Sequence, residues 1–208
     1  MKKIIALVAG IAMSMTAVFA EHTVGLGFNI PVNSLKVEDT DVSEHGFGFD
    51  LTYLFIHENG FSAKADAALN IMDTDDIPSD GSMGNFVFDL GAGYTFLNKE
   101  KFTVSVLGML GMTLGGHSKD YEIEDYKVTY DCSWLTFDIG ADVIGKYKFT
   151  DHFGAFVNLG LRYAINMKTN EELEFEDSDV NELFGYSNDD LSTKGIRFQP
   201  TLGVCWSF

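Results

Sequence analysis

Large apolar side chains recur at every second residue in segment after segment of this chain. Such alternation puts them on one face of an extended strand and everything else on the other. The last stretch shows the pattern most fully. Ile196, Phe198, Leu202, Val204, Trp206 and Phe208 share one face, and Arg197, Gln199, Thr201, Gly203, Cys205 and Ser207 share the other.

The same reading gives seven strands before it. The first carries Val24, Leu26, Phe28 and Ile30 and stops at Pro31, and a polar, acidic stretch follows to Glu44. The second carries Phe47 to Phe55 and turns at His57-Glu58-Asn59-Gly60, where Asn-Gly is a strong hairpin signal. A third strand spans Phe61 to Ile71 and leads into an Asp-rich loop. The fourth runs from Phe86 to Phe96 and turns at Asn98-Lys99-Glu100-Lys101; the fifth starts at Phe102 and continues as a ribbon through Tyr121 and Tyr130. Apolar parity is even through Trp134 and odd from Leu135, which predicts a β-bulge there. Strand six then runs to Phe149, strand seven from Phe153 to Ile165, and an acidic loop, Lys168 to Thr193, precedes the closing strand. Within that loop, Asp179 and Glu182 have the spacing of a capping box and predict one helical turn. The result is eight strands, with long and short connections in strict alternation.

Lys2 and Lys3 precede an apolar run from Ile4 to about Val18, and Val18-Phe19-Ala20 offers small residues at both positions a signal peptidase reads. The run is shorter than the ~20 apolar residues a spanning helix needs. Residues 1–20 are expected to be a cleaved secretory signal and 21–208 one domain. Removing two Lys and no acid takes the formal charge from -17 to -19, which argues against nucleic acid as a partner. Cys132 and Cys205 are expected near opposite ends of the fold, too far apart for a disulfide.

Two phrases recur. Strands two, four, six and eight end alike: Tyr53-Leu54-Phe55, Tyr94-Thr95-Phe96, Tyr147-Lys148-Phe149 and Trp206-Ser207-Phe208. Aromatics two apart point the same way, so these pairs predict an aromatic belt at one rim. Phe-Asp-Leu or Phe-Asp-Ile recurs around Asp50, Asp89 and Asp138. Extending the parity to all strands puts Asp50, Asp66, Asp89, Asp138 and Asp142 on the face opposite the apolar one, with Lys64, Lys146, Lys148, Arg162 and Arg197. Five acids facing five cations predict either a salt-bridged filling or a polar path for ions.

Most of the remaining acids gather in four connections: Glu38, Asp39, Asp41 and Glu44; Asp73, Asp75, Asp76 and Asp80; Asp120, Glu122, Glu124, Asp125 and Asp131; and Glu171 through Asp190. They read as a solvated exterior or as a collector of cations or of a basic ligand. The catalytic candidates are His117 with Ser118 and Asp120, and His45 with Ser43 and Glu44; adjacent residues on an extended chain point apart, so neither set makes a ready nucleophile–base pair. His22, His57 and His152 read as turn residues. No phosphate loop, zinc spacing or EF-hand is present, and neither cofactor nor metal is expected.

The alternating strands, the asymmetric connections and the closing strand ending in Phe208 resemble the small bacterial outer-membrane barrels of the OmpX, OmpA-transmembrane and OmpW kind. The resemblance covers nearly the whole chain after residue 20. It implies an all-β, eight-stranded, antiparallel up-and-down transmembrane barrel with short periplasmic turns and long acidic extracellular loops. Both termini of the cleaved chain would be periplasmic, and the last strand would be read by the barrel-assembly machinery. The partners implied are outer-membrane lipid and that machinery, with a monomeric, non-enzymatic barrel acting as a surface scaffold. Pro200 inside the closing strand removes one ladder hydrogen bond. Barrels of the OmpW type open sideways at such an interruption to pass hydrophobic molecules; a local bulge is the alternative.

Overall fold

A computed structural model of the chain describes residues 20–37, 40–74, 83–123, 126–176, 181, 185–188 and 193–208. They form one antiparallel sheet of β1 (Ala20–Asn29), β2 (Val32–Val37), β3 (Thr40–His57), β4 (Phe61–Thr74), β5 (Met83–Asn98), β6 (Phe102–Ile123), β7 (Tyr126–Lys148), β8 (Phe153–Phe175), β9 (Tyr186–Asn188) and β10 (Thr193–Ser207). β1 and β2 are two halves of one stave, broken at Ile30-Pro31. Both halves pair with β3 on one side and β10 on the other. β9 is a short addition paired to β8. Eight staves therefore close into a ring, and closure removes the exposed edges that an open sheet would carry. The turns after β3, β5 and β7 lie at the end where β1 begins and β10 finishes, the turn end; the other is the loop end.

The strands run further than alternation indicates. The acidic stretch after Pro31 is not a loop but β2 and the start of β3, paired from Val32↔His45 to Val37↔Thr40. β8 likewise continues to Phe175, into the stretch read as the longest loop. At the loop end the sheet stands clear of the apolar belt, so polar residues line both faces and period two loses its contrast. Of the helical turn expected at Asp179–Glu182 only Asn181 is described, as helix, with its carbonyl accepting from the Gly185 amide at 2.8 Å; Glu38, Asp39, Asp75, Asp76, Asp80, Glu124, Asp125 and the expected signal segment to Phe19 lie outside the described residues.

The bulge expected in β7 is not there. β7 pairs with β6 without interruption from Phe102↔Tyr147 to Ile123↔Tyr126. The register shift at that level falls in β8, between the partners of Leu135 and Thr136. The parity change has another cause. Below Leu135 the outer face is apolar; above it that face holds Asp131 and Ser133, and the apolar residues move to the inner face, where Val128 is buried. A second shift, at Phe96 near the turn end, went unread.

In the staves the outer face is an apolar belt, with Leu69, Leu202, Leu161 and Phe137 all exposed. The inner face is polar, and Asp50, Asp66, Asp89, Asp138, Asp142, Lys64, Lys146, Arg162 and Arg197 are all buried. This is a fold turned inside out relative to a water-soluble barrel, and it satisfies the backbone of every stave through its neighbours, as a lipid environment requires.

Candidate functional site

The interior is layered. At mid-height, Lys64 on β4 pairs with Asp66 and, at 2.5 Å, with Asp142. Arg162 on β8 reaches Asp142 at 2.5 Å and Asp89 at 2.8 Å. Thr52 bridges Asp50 and Asp66, with its hydroxyl 2.6 Å from a carboxylate oxygen of each. Toward the loop end, Arg197 pairs with Asp138 at 3.2 Å, Thr113 donates to Asp138 at 2.6 Å, and Asn33 donates to the buried Glu44 at 2.9 Å. At the turn end, Lys146 and Lys148 both reach Glu21, Lys148 at 2.9 Å.

The five-against-five pairing is therefore not the one formed. Glu21, read only as the residue after a cleavage site, takes both Lys146 and Lys148, and Lys148 sits at the rim rather than deep in the lumen. Glu44, read as a loop residue, faces inward. The five Asp are left with Lys64, Arg162 and Arg197.

Between the mid-height ions and the Glu21 layer lies a feature that the sequence reading did not contain. Leu54, Ile56, Leu107, Met109, Ile144, Phe156 and Cys205 form a buried apolar cluster inside the barrel. Phe156 lies flat over a wall of glycines: a Cβ added at Gly25 or Gly203 would fall 2.6 or 2.5 Å from its ring. Met109 covers Gly91 in the same manner. Glycine is needed here because the opposing backbones must leave room for a full ring in so narrow a lumen.

Of the predicted belt, Tyr53, Tyr94, Phe96, Tyr147, Phe149, Trp206 and Phe208 are exposed at the turn-end rim, whereas Phe55 is buried, 7 % exposed. Histidines knit this rim. His22 stacks on Phe208 at 5.8 Å, packs edge-on to Phe55 at 5.4 Å and hydrogen-bonds the Tyr53 hydroxyl at 2.7 Å; His152 stacks on Trp206 at 5.5 Å. His22 is thus a strand residue rather than a turn residue. Phe208 and His22 exchange backbone hydrogen bonds of 2.9 and 3.0 Å, so the last residue belongs to the ladder. Toward β8 the pairing runs unbroken through Pro200; on the other side it stops at Asn29↔Thr201 and resumes in the same register at Val32↔Phe198, across a gap where the Ile30 amide donates to the Pro200 carbonyl at 3.0 Å. The expected bulge is absent there, and only the bond that proline cannot donate is missing.

At the loop end, Glu171 accepts hydrogen bonds from Tyr130 and Tyr186, both at 2.7 Å, beside the free thiol of Cys132. Burial, and next the Glu171 carboxylate, push that thiol up to about 11. Only the thiolate attacks maleimide. At pH 8 Cys132 is therefore expected to react roughly 100-fold more slowly than an ordinary thiol with a pKa near 9, since each unit removes a factor of ten. Glu171→Gln is expected to speed labelling, measured by mass spectrometry of the detergent-extracted protein. Cys205 is buried in the apolar cluster, and neither thiol is oxidised. His45 is exposed on β3, and the side chain of His117 lies outside the described residues. No cluster of three or more His, Cys, Asp or Glu among the described residues is spaced to hold a metal.

A closed eight-stave ring with an apolar exterior and an ionic interior narrows the comparison to one kind of protein. The sequence profile of the outer membrane protein β-barrel domain matches residues 4–208. The chain belongs to that family. It is an outer-membrane β-barrel protein, and the bacterial outer membrane is its location. Solved barrels share the fold at low identity. OprG of Pseudomonas aeruginosa is 12 % identical with a TM-score of 0.51, covering 91 % of this chain and 96 % of that one. A major outer membrane protein of Thermus thermophilus is 11 % identical at 0.54, with 88 % and 99 % covered. Neisserial surface protein A is 11 % identical at 0.51, with 91 % and 99 % covered. No curated protein matches the chain in sequence.

Proposed function

We propose that this outer-membrane barrel is a surface-exposed scaffold: an occluded lumen that carries no solute, holding acidic strand extensions out from the cell for contact with cations or a basic ligand. The observation behind this reading is the apolar cluster around Phe156, Leu107 and Met109, which fills the lumen beneath the ionic layer. Water and ions crossing there would be stripped of hydration with no polar group to replace it. The loop end would face outward, with Asp131, Glu172 and Glu174 exposed on β7 and β8. The turn end, both termini of the cleaved chain and the Phe208 assembly signal would face the periplasm. The reading involves no catalytic step, and the barrel would act as a monomer in lipid.

Thiol labelling on intact cells tests the orientation. In a Cys132→Ser background, Glu174→Cys is expected to react with a membrane-impermeant maleimide on whole cells, and Glu100→Cys, exposed in the turn after β5, only after permeabilisation. The reverse pattern would overturn the proposed topology. A second reading, a narrow channel for ions or small hydrophobic molecules, draws support from an internal cavity that reaches Gln199 and Thr201 beside Pro200.

A further inference from the structure

The mid-height layer does not balance. Asp50, Asp66, Asp89 and Asp142 face only Lys64 and Arg162, so four carboxylates meet two cations and Asp50 has no ion-pair partner among the described residues. Charge left unmatched in a buried site is costly. The imbalance coincides with a hole. A cavity lined by Asp50, Asp66 and Asp89 from β3 to β5 and by Asn158, Arg162 and Thr201 from β8 and β10 has room for one water-sized sphere, 10 Å³, near the minimum that a water or bare ion occupies.

Oxygen atoms of the cavity wall lack partners. Asn158 is 6 % exposed and Thr201 3 % exposed, and neither Asn158 Oδ1 nor Thr201 Oγ1 makes a hydrogen bond. Asn158 spends its amide nitrogen on Asp142 at 3.2 Å, and the Thr201 methyl covers Gly27, which turns the hydroxyl away from β1. Asp89 Oδ1, lying over Gly111, is also without a partner. A water would fill this hole without correcting the charge. A proton on one carboxyl would reduce the charge but leave the hole and the Asn158 and Thr201 oxygens as they are. A cation does both.

We propose that this cavity binds one dehydrated hard cation of sodium or calcium size, held by the carboxylates of Asp50 and Asp89 with the neutral oxygens of Asn158 and Thr201. Apart from the Arg162 guanidinium, which is engaged by Asp89 and Asp142, the polar wall offers oxygen and no sulfur or imidazole, which selects hard cations. Magnesium is disfavoured because it keeps several waters for which there is no room. The site is buried in the barrel and distinct from the acidic residues of the loop end.

Thermal unfolding of the detergent-extracted protein, treated with chelator and titrated with calcium or sodium chloride against choline chloride at fixed ionic strength, tests this. One of the two is expected to raise the unfolding temperature saturably, and which one does so identifies the ion. Thr201→Val, nearly isosteric, is expected to shift the half-saturating concentration upward by about tenfold, equivalent to ~1.4 kcal/mol of binding. Asn158→Leu is expected to act in the same direction. Stabilisation that is unchanged in Thr201→Val would place the ion at the loop-end acids and overturn the proposal. Absence of any response beyond that to choline would leave the cavity to water and overturn it as well.

Discussion

Arg162→Met is expected to destabilise the barrel by about 3–5 kcal/mol, the range for breaking a buried ion pair from one side. Among the described residues, Arg162 is the sole ion-pair partner of Asp89 and one of two for Asp142. Without it, four buried carboxylates face Lys64 alone. Met keeps the length and apolar stem of the side chain, so the loss reports charge rather than volume. Removing one carboxylate as well should return part of the stability. In a double-mutant cycle with Asp89→Leu, the pair of substitutions is expected to cost less than the sum of the two singly, by an amount within the ~0.5–3 kcal/mol that contacting residues show. Urea unfolding followed by Trp134 and Trp206 fluorescence measures both. An Arg162→Met barrel that unfolds at the wild-type urea concentration would show that the layer is not held by these pairs.

The second large effect lies in the apolar cluster. Phe156→Ala removes a ring that rests on Gly25, Gly27 and Gly203, and those walls have no side chains with which to collapse into the space. Cost rises with the cavity left behind, so the loss is expected at the upper part of the ~3–5 kcal/mol range for Phe→Ala. The void also opens the lumen, so ion current is expected from the variant and none from the wild type. A size-swapped pair separates filling from any other role of Phe156. Gly25→Leu alone should clash with the ring and destabilise, because the three atoms nearest a Cβ at Gly25 all belong to that ring. In the Phe156→Ala background the same Leu should recover stability and silence the current.

The architecture was legible because one face of every stave is apolar and its opposite polar, and because short turns alternate with long connections. The inner positions of Asp50, Asp66, Asp89, Asp138, Asp142, Lys64, Arg162 and Arg197 follow from parity alone. The apolar cluster was hidden by the same logic. Leu54 sits between Tyr53 and Phe55, Leu107 between Val106 and Gly108, Ile144 between Val143 and Gly145. In such runs both faces are apolar or small, and period two carries no signal. Clusters of glycine on the staves facing Phe156 were the available clue, since glycine in a strand interior marks close approach. Glu21 was missed for another reason: Lys146 and Lys148, two apart near a strand end, needed an acid from the same rim, and the one that serves is on the first stave, next to the expected cleavage point. The extent of the loop-end ribbons could not be read because above the belt water replaces lipid outside, and the alternation that marks the staves fades or changes face.

The occluded lumen is the claim on which the functional reading stands, and single-channel recording tests it most directly. The protein extracted from outer membranes, shown to be folded by its heat-dependent shift on a gel, is inserted into a planar bilayer beside its Phe156→Ala variant. A silent wild type and a conducting variant are the predicted pair. Steady conductance steps from the wild type, altered by Asp89→Asn, would contradict the account and make the ionic layer the lining of a channel.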